Sequence, residues 1–479
     1  MRGLGLIKMF YPKIIQGGMG VGVSNWVLAR AVSIAGQLGV VSGTALDVVL
    51  ARRLQSGDPD GHVRRALDHF PFPEIARRVW DQYFVEGGIA PGQPYKPVPL
   101  ITAEPHQNIL ELHTLANFVE VFLAKAGHAG EVGINFLEKI QMPTLSSIFG
   151  AMLAGVDFIL MGAGIPRSIP GILDHFSKGE AVKMKLDVEG ATPDQEFAIT
   201  FDPAKFCGGE APKLKRPHFL AIISSATLAL TLARKSSGKV DGFIVEGETA
   251  GGHNAPPRGP LHLSEKGEPI YGERDVPDLE KIAQIGLPFW LAGSYGAPGK
   301  LCQALALGAV GIQVGTAFAF CEESGIAPEL KAQVIESYFE GNLKVYTDPL
   351  ASPTGFPFKV LQVETSVSNS AVYEARKRVC DLGYLRHVFR KEDGTLGYRC
   401  PAEPVANFVR KGGQEQDAQG RKCVCNGLLG TIGLGQVVMG GAIEPPLLTA
   451  GDDVVNIGRF LKPGSKTYAA KDVIDALLA

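Results

Sequence analysis

Residues 240–259 read VDGFIVEGETAGGHNAPPRG. An apolar run, Phe243 to Val245, stops at Glu246-Gly247, and Gly251-Gly252 stand directly before His253. This is the pattern of a buried parallel strand that empties into a loop presenting one imidazole. Glycine carries no Cβ, so paired glycines allow a flat ligand to approach the backbone closely. A histidine placed there exchanges protons near neutral pH.

Working outward, the same unit recurs. Ile14-Ile15-Gln16 runs into Gly17-Gly18-Met19-Gly20, and Leu38 to Val41 ends at Ser42-Gly43. Val132 to Phe136 ends at Asn135-Phe136-Leu137, and Asp157 to Met161 ends in Gly162-Ala163-Gly164. Phe219 to Ile223 stops at Ser224-Ser225, and Gly242 to Val245 is the sixth run. Pro288 to Ala292 ends in Gly293-Ser294-Tyr295-Gly296, and Gly311 to Val314 in Gly315-Thr316. Helical patterns fall between them, among them Asn25 to Ala35 with Ser24 as its cap, a charged stretch from Asp58 to Tyr83, Leu145 to Ala154, Ile169 to Phe176, Ala226 to Lys235 and Lys300 to Leu307. Eight apolar strands alternating with helices predict an α/β chain folded as a (β/α)8 TIM barrel. A doubly wound open sheet is the rival. It would show Gly-x-Gly-x-x-Gly after the first strand and gather its functional tips at one switch point, and this chain does neither.

The barrel is expected over residues 1–325, with an insertion near 178–216 whose two alternating runs, Val182 to Val188 and Glu196 to Phe201, predict a hairpin. Residues 326–479 are expected to form a C-terminal extension packed on the barrel rim, partly helical (Pro328 to Phe339) and carrying four of the seven cysteines.

The chain has 479 residues, 45% of them apolar, and a formal net charge of −2. That leaves no basic field to draw nucleic acid or an anionic membrane. No apolar run reaches the ~18 residues of a membrane span. The N-terminal stretch lacks the apolar core of a signal peptide, and an odd number of cysteines fits a reducing cytoplasm better than a disulfide framework.

In such a barrel the active site lies at the C-terminal strand ends, and the loops after strands seven and eight commonly hold a phosphate. Ala292-Gly293-Ser294 and Gly315-Thr316 are glycine-containing tips at those two places. Their backbone N–H groups are suited to an anion. Gly17-Gly18-Met19 at the first tip would set main-chain groups against a flat ring, and Asn135 would point its amide into the same mouth. Glu246 and Glu248 lie near His253 in sequence; either could orient or charge the imidazole, and Glu246 stands with the cofactor-contacting residues. Each of these short motifs has an ordinary alternative, a tight turn or a solvated side chain.

Taken together, the segments Ile14–Met19, Gly133–Phe136, Glu246-Gly247 with Ala250–His253, Leu291–Gly293 and Gly311–Phe318 resemble the flavin-dependent nitronate monooxygenases, formerly called 2-nitropropane dioxygenases. The resemblance covers about residues 12–325. It implies non-covalently bound FMN, with His253 as the catalytic histidine. It also implies phosphate contacts from Gly293 and Gly315-Thr316 and ring contacts from Gly18-Met19. The family commonly has a second glycine where this chain has Ser294. Similar motifs occur in flavin-dependent enoyl-acyl-carrier-protein reductases. The segments Cys380–Leu385 and Tyr398–Pro404 resemble a longer branch of polyunsaturated fatty acid and polyketide assembly lines.

Three functional expectations follow. The first is oxidation of nitronates or nitroalkanes with O2. The second is NAD(P)H-dependent reduction of an enoyl thioester on an acyl carrier protein. The third is a flavin-binding docking subunit of a synthase. The partner would be a small molecule or an acyl thioester, with a homo-oligomer or a synthase as protein partner. Cys380, Cys400, Cys423 and Cys425 could hold zinc or an iron–sulfur cluster, although their spacing lacks paired Cys-x-x-Cys knuckles.

Overall fold

The computed structural model describes residues 11–438 and 440–479. The first ten residues, on which the expectation about a signal peptide partly rests, lie outside the described residues.

Eight parallel strands close into a barrel. In chain order they are Ile14–Gln16, Leu38–Ser42, Val132–Leu137, Phe158–Gly162, His218–Ile223, Gly242–Glu246, Phe289–Ala292 and Gly311–Val314. The first closes onto the eighth, with Ile14 opposite Ile312 and Gln16 opposite Val314. The runs are largely apolar because both faces of most strand residues are buried. Ile15, Leu38, Val40, Leu160, Leu220, Ile244 and Trp290 fill the barrel interior as one cluster. Their neighbours Ile14, Val41, Ile159, Phe243, Leu291 and Ile312 point outward into the main core with the helices. Trp290 can lie wholly inside because its indole N–H donates to the Pro12 carbonyl at 2.8 Å.

The first helix is Trp26–Ile34, and its cap is Asn25, whose side chain accepts from the Leu28 N–H. Ser24, the expected cap, is wholly buried and braces the first strand tip instead. The charged stretch from 58 to 83 divides into His62–Leu67 and Pro73–Tyr83, and the long helix Gln107–Lys125 was not expected. That helix is nearly all buried, so it shows little polar face to mark its period. The insertion carries the expected hairpin, Val182–Lys185 against Ala198–Phe201.

Beyond 325 the chain crosses the barrel mouth. Strands Val345–Asp348 and Phe358–Leu361 pair antiparallel, and the two-residue strand Gly252–His253 joins the edge of Phe358–Leu361. The last helix, Ala470–Leu478, returns to the outer wall and packs on Trp26–Ile34 and Lys300–Ala306. Among the described residues no helix is long and apolar enough to cross a membrane.

Candidate active site

A cavity of about 250 Å3 opens at the C-terminal ends of the strands. Gly17, Gly18 and Met19 line it from the first tip, Asn135 from the third, and Glu246, Gly251, Gly252 and His253 from the sixth. Ala292, Gly293 and Ser294 of the seventh tip and Gly315 and Thr316 of the eighth complete the ring. These residues, far apart in the chain, meet because every barrel strand ends on the same rim.

The first tip is held from beneath. Ser24 Oγ accepts from the Met19 N–H and donates to the Gly17 carbonyl, both at 2.9 Å. The Gln16 side chain donates to Ser24 Oγ at 2.9 Å and accepts from the Val40 N–H at 3.0 Å. Gly18 is required sterically, since a Cβ there would lie 2.4 Å from the Asn135 Cβ.

The first of the two glycines before His253 has a different reason from the one the sequence suggested. A Cβ on Gly251 would meet the Ala450 carbonyl carbon at 2.7 Å and the Gly451 nitrogen at 2.8 Å. The backbone that comes close is that of the C-terminal extension, not only a ligand. His253 lines the cavity and is half-buried, its ring 4.6 Å from that of Phe358. Its Nε2 is 2.6 Å from the Ser352 hydroxyl. Burial, aided by the Lys139 ammonium, pushes its pKa down to about 3, so the imidazole is neutral at neutral pH. Burial alone pushes Glu246 up to about 7. No hydrogen bond joins Glu246 to His253 among the described residues, and Ser352 takes the orienting place considered for Glu246 and Glu248.

At the seventh tip Ser294 has φ +56°, the left-handed conformation that favours glycine. That explains physically why a glycine suits this position. At the eighth, Thr316 Oγ1 accepts from the Gly451 N–H at 2.9 Å and keeps its own hydrogen to donate. Asp453, a carboxylate of the cavity lining, is paired with Arg459 at 2.9 Å. The sequence reading missed Gln313 as a site residue. Its Oε1 is buried without a hydrogen-bond partner and its side chain lines the cavity beside Gly17. A polar residue inside the apolar run Gly311–Val314 was the available signal.

The four C-terminal cysteines do come together, around a second cavity of only about 10 Å3. Burial raises the Cys423 pKa to about 11 and raises that of Cys425 well above its ordinary value, while the hydrogen bond between Cys380 and Cys400, with burial, raises Cys400 and lowers Cys380. Among the described residues no group of three or more His, Cys, Asp or Glu is placed to hold a metal ion. The arrangement adds no support to the zinc or iron–sulfur expectation; the four thiols pack closely around that small space.

The fold and the rim define a parallel (β/α)8 barrel with a closed-over cavity at its catalytic end. Residues 187–348 match the family model described as nitronate monooxygenase. A probable nitronate monooxygenase of Staphylococcus saprophyticus is 32% identical over 127 residues, 26% of this chain and 34% of that protein. The chain thus matches about a third of that curated relative's length. Among solved structures, FabK from Thermotoga maritima superposes with a TM-score of 0.45 at 16% identity, covering 98% of this chain and 92% of that one. Nitroalkane oxidase from Streptomyces ansochromogenes gives 0.45 at 14% identity, covering 98% and 96%. The enoyl reductase domain of MlnA from Bacillus amyloliquefaciens gives 0.46 at 11% identity, covering 97% and 92%.

Proposed function

We propose that the protein is an FMN-dependent oxidoreductase. The observation that carries this reading is the convergence of the first, seventh and eighth tips on one cavity beside His253. The residues fit the cofactor. The unpaired Gln313 Oε1 calls for a donor such as a flavin ring N–H. Gly17-Gly18-Met19, Asn135 and Gln313 would hold the ring. Gly293, Ser294, Gly315 and Thr316 would hold the phosphate. Bound FMN would supply the two-electron chemistry that protein side chains lack. The chain's own part is to bind and orient the substrate, exclude water beneath the extension, and hold or move a proton at His253.

For the substrate, the family match supports oxidation of a nitronate or nitroalkane with O2. A second reading, reduction of an enoyl thioester with NAD(P)H, is favoured by a separate observation. A groove of about 740 Å3 runs between the loop after the third strand, the inserted hairpin and residues 384–388, and shares Ile140, Tyr384 and Leu385 with the cavity. It offers room for a long chain that a small nitronate does not need. The free cysteines fit a reducing, cytoplasmic setting.

The test begins with the purified protein's absorbance spectrum and an extracted-cofactor assay for FMN. Oxygen uptake with propyl-2-nitronate in the absence of nicotinamide is expected under the first reading. Anaerobic bleaching by NADPH, reversed by crotonyl thioester, is expected under the second. A protein that neither retains nor takes up FMN sinks the proposal.

A further inference from the structure

His253 has a second side. Nε2 is 2.6 Å from Ser352 Oγ, and Ser352 Oγ is 2.8 Å from Thr354 Oγ1. Ser352 is wholly buried, whereas Thr354 is half-buried and lines the outer groove. The three groups form an unbroken file from the cavity to the groove. Arg421 Nη1 fixes the file at the Ser352 carbonyl, 2.7 Å away, and the Thr354 N–H donates to Ser352 Oγ at 3.2 Å. Among the described residues no protein group bonds Nδ1, and His253 lines the cavity.

The donor count allows two states. Thr354 can donate to Ser352 while Ser352 donates to Nε2, which leaves the proton of the imidazole on Nδ1. Alternatively Nε2–H donates to Ser352 and Ser352 to Thr354, which leaves Nδ1 bare. We propose that Ser352 and Thr354 are a proton relay that connects His253 with solvent in the groove, so that the imidazole gives or takes a proton at Nδ1 while exchanging one at Nε2. The inference deepens the oxidoreductase reading and rests on it for the substrate.

The transfer balances. When Nδ1–H protonates a carbanion, Ser352 passes a proton to Nε2, Thr354 passes one to Ser352, and a solvent acid in the groove restores Thr354. One proton moves from solvent to substrate, no electrons move, and the ring stays neutral throughout. Run in the other direction, Nδ1 takes a proton from an acidic carbon and Nε2 releases one outward. Water in the emptied cavity resets the tautomer. A relay is useful here because burial and the Lys139 ammonium both disfavour a charge on the ring.

The test compares Ser352→Ala and Thr354→Val with the conservative Ser352→Thr and Thr354→Ser. The first readout is the pair of His253 ring-nitrogen shifts in protein labelled with 15N-histidine, assigned with His253→Gln. Thr354 does not touch the imidazole, yet Thr354→Val is expected to change the tautomer ratio as Ser352→Ala does, and both conservative variants are expected to restore it. The second readout is turnover. Both disruptive variants are expected to lower kcat about tenfold or more with KM within about threefold, and to flatten a curved proton inventory. Shifts unchanged by Thr354→Val, or a kcat that only Ser352→Ala lowers, overturn the relay. Absence of any flavin-dependent turnover would sink the function proposed above and still leave the nitrogen shifts to decide the relay.

Discussion

The sixth-strand tip and the cysteine region differ in what their side chains enclose. At the tip, His253, Glu246 and the glycines surround a cavity of about 250 Å3 that opens toward a larger groove. In the cysteine region four thiols surround about 10 Å3, scarcely the room of one water. Both regions carry reactive residue types. The barrel cannot collapse at its mouth, because its strands end there and diverge. Cys380 and Cys400 lie in irregular chain and Cys423 and Cys425 at the start of the helix Val424–Thr431, and these segments close on one another until the thiols act as small apolar groups. A reactive residue type becomes a site only where a rigid frame keeps it from being packed over.

The sharpest way to break this comparison is His253→Ala. Turnover per bound flavin is expected to fall by about 10²–10⁴-fold with the flavin retained. An unchanged rate would place the reaction elsewhere. Next, Gly18→Ala forces a methyl group onto Asn135. Overpacking of this kind costs about 1–3 kcal/mol, so flavin affinity is expected to fall by roughly 10–100-fold, read by fluorescence titration.

Glu246 sharpens the electrostatic side. Its folded pKa, about 7, lies above its ordinary value, so its protonated form is favoured on folding. Stability contributed this way is fully present below about pH 4.5 and is lost as pH rises toward about 7. Glu246→Gln is expected to flatten the decline over that window in pH-dependent denaturant melts of flavin-free protein.

Smaller effects follow. Ser294→Gly relieves a left-handed φ and is expected to add about 1 kcal/mol, a rise of about 2 °C in Tm. A fall in flavin affinity in the same variant would show that the serine hydroxyl contacts the phosphate. Cys400→Ala is expected to lose about 1 kcal/mol of stability with turnover within about twofold and no change in metal content by elemental analysis. Bound zinc or iron lost with this substitution would reverse the reading of the cluster.

Much of the barrel was legible because its signals are local. Phe243-Ile244-Val245 is apolar on both faces, and the polarity of Glu246 marks where the strand leaves the core. The rim residues could be grouped once the strands were counted, since the fold itself brings strand ends together. Gln313 was legible as an oddity within an apolar strand but carried no sign of its unpaired oxygen. Ser24 shows the opposite failure: a serine before a helix reads as a cap, and the structure gives that duty to Asn25 and sets Ser24 under the first tip.

The sequence by itself determined the eight strands, their order and the side chains at their ends, because hydrophobic periodicity and glycine placement are written within a few residues. Only the tertiary structure decided what faces those side chains. Ser352 reaches His253 across 99 residues of chain, and Ala450 and Gly451 close over Gly251 from still further away. These partners come from an irregular extension whose path is fixed by long-range pairing, Phe358 against His253, and by packing on the barrel. No local pattern encodes such contacts, so the group that orients the imidazole, and the closed cavity of the cysteines, appear only when the chain is folded.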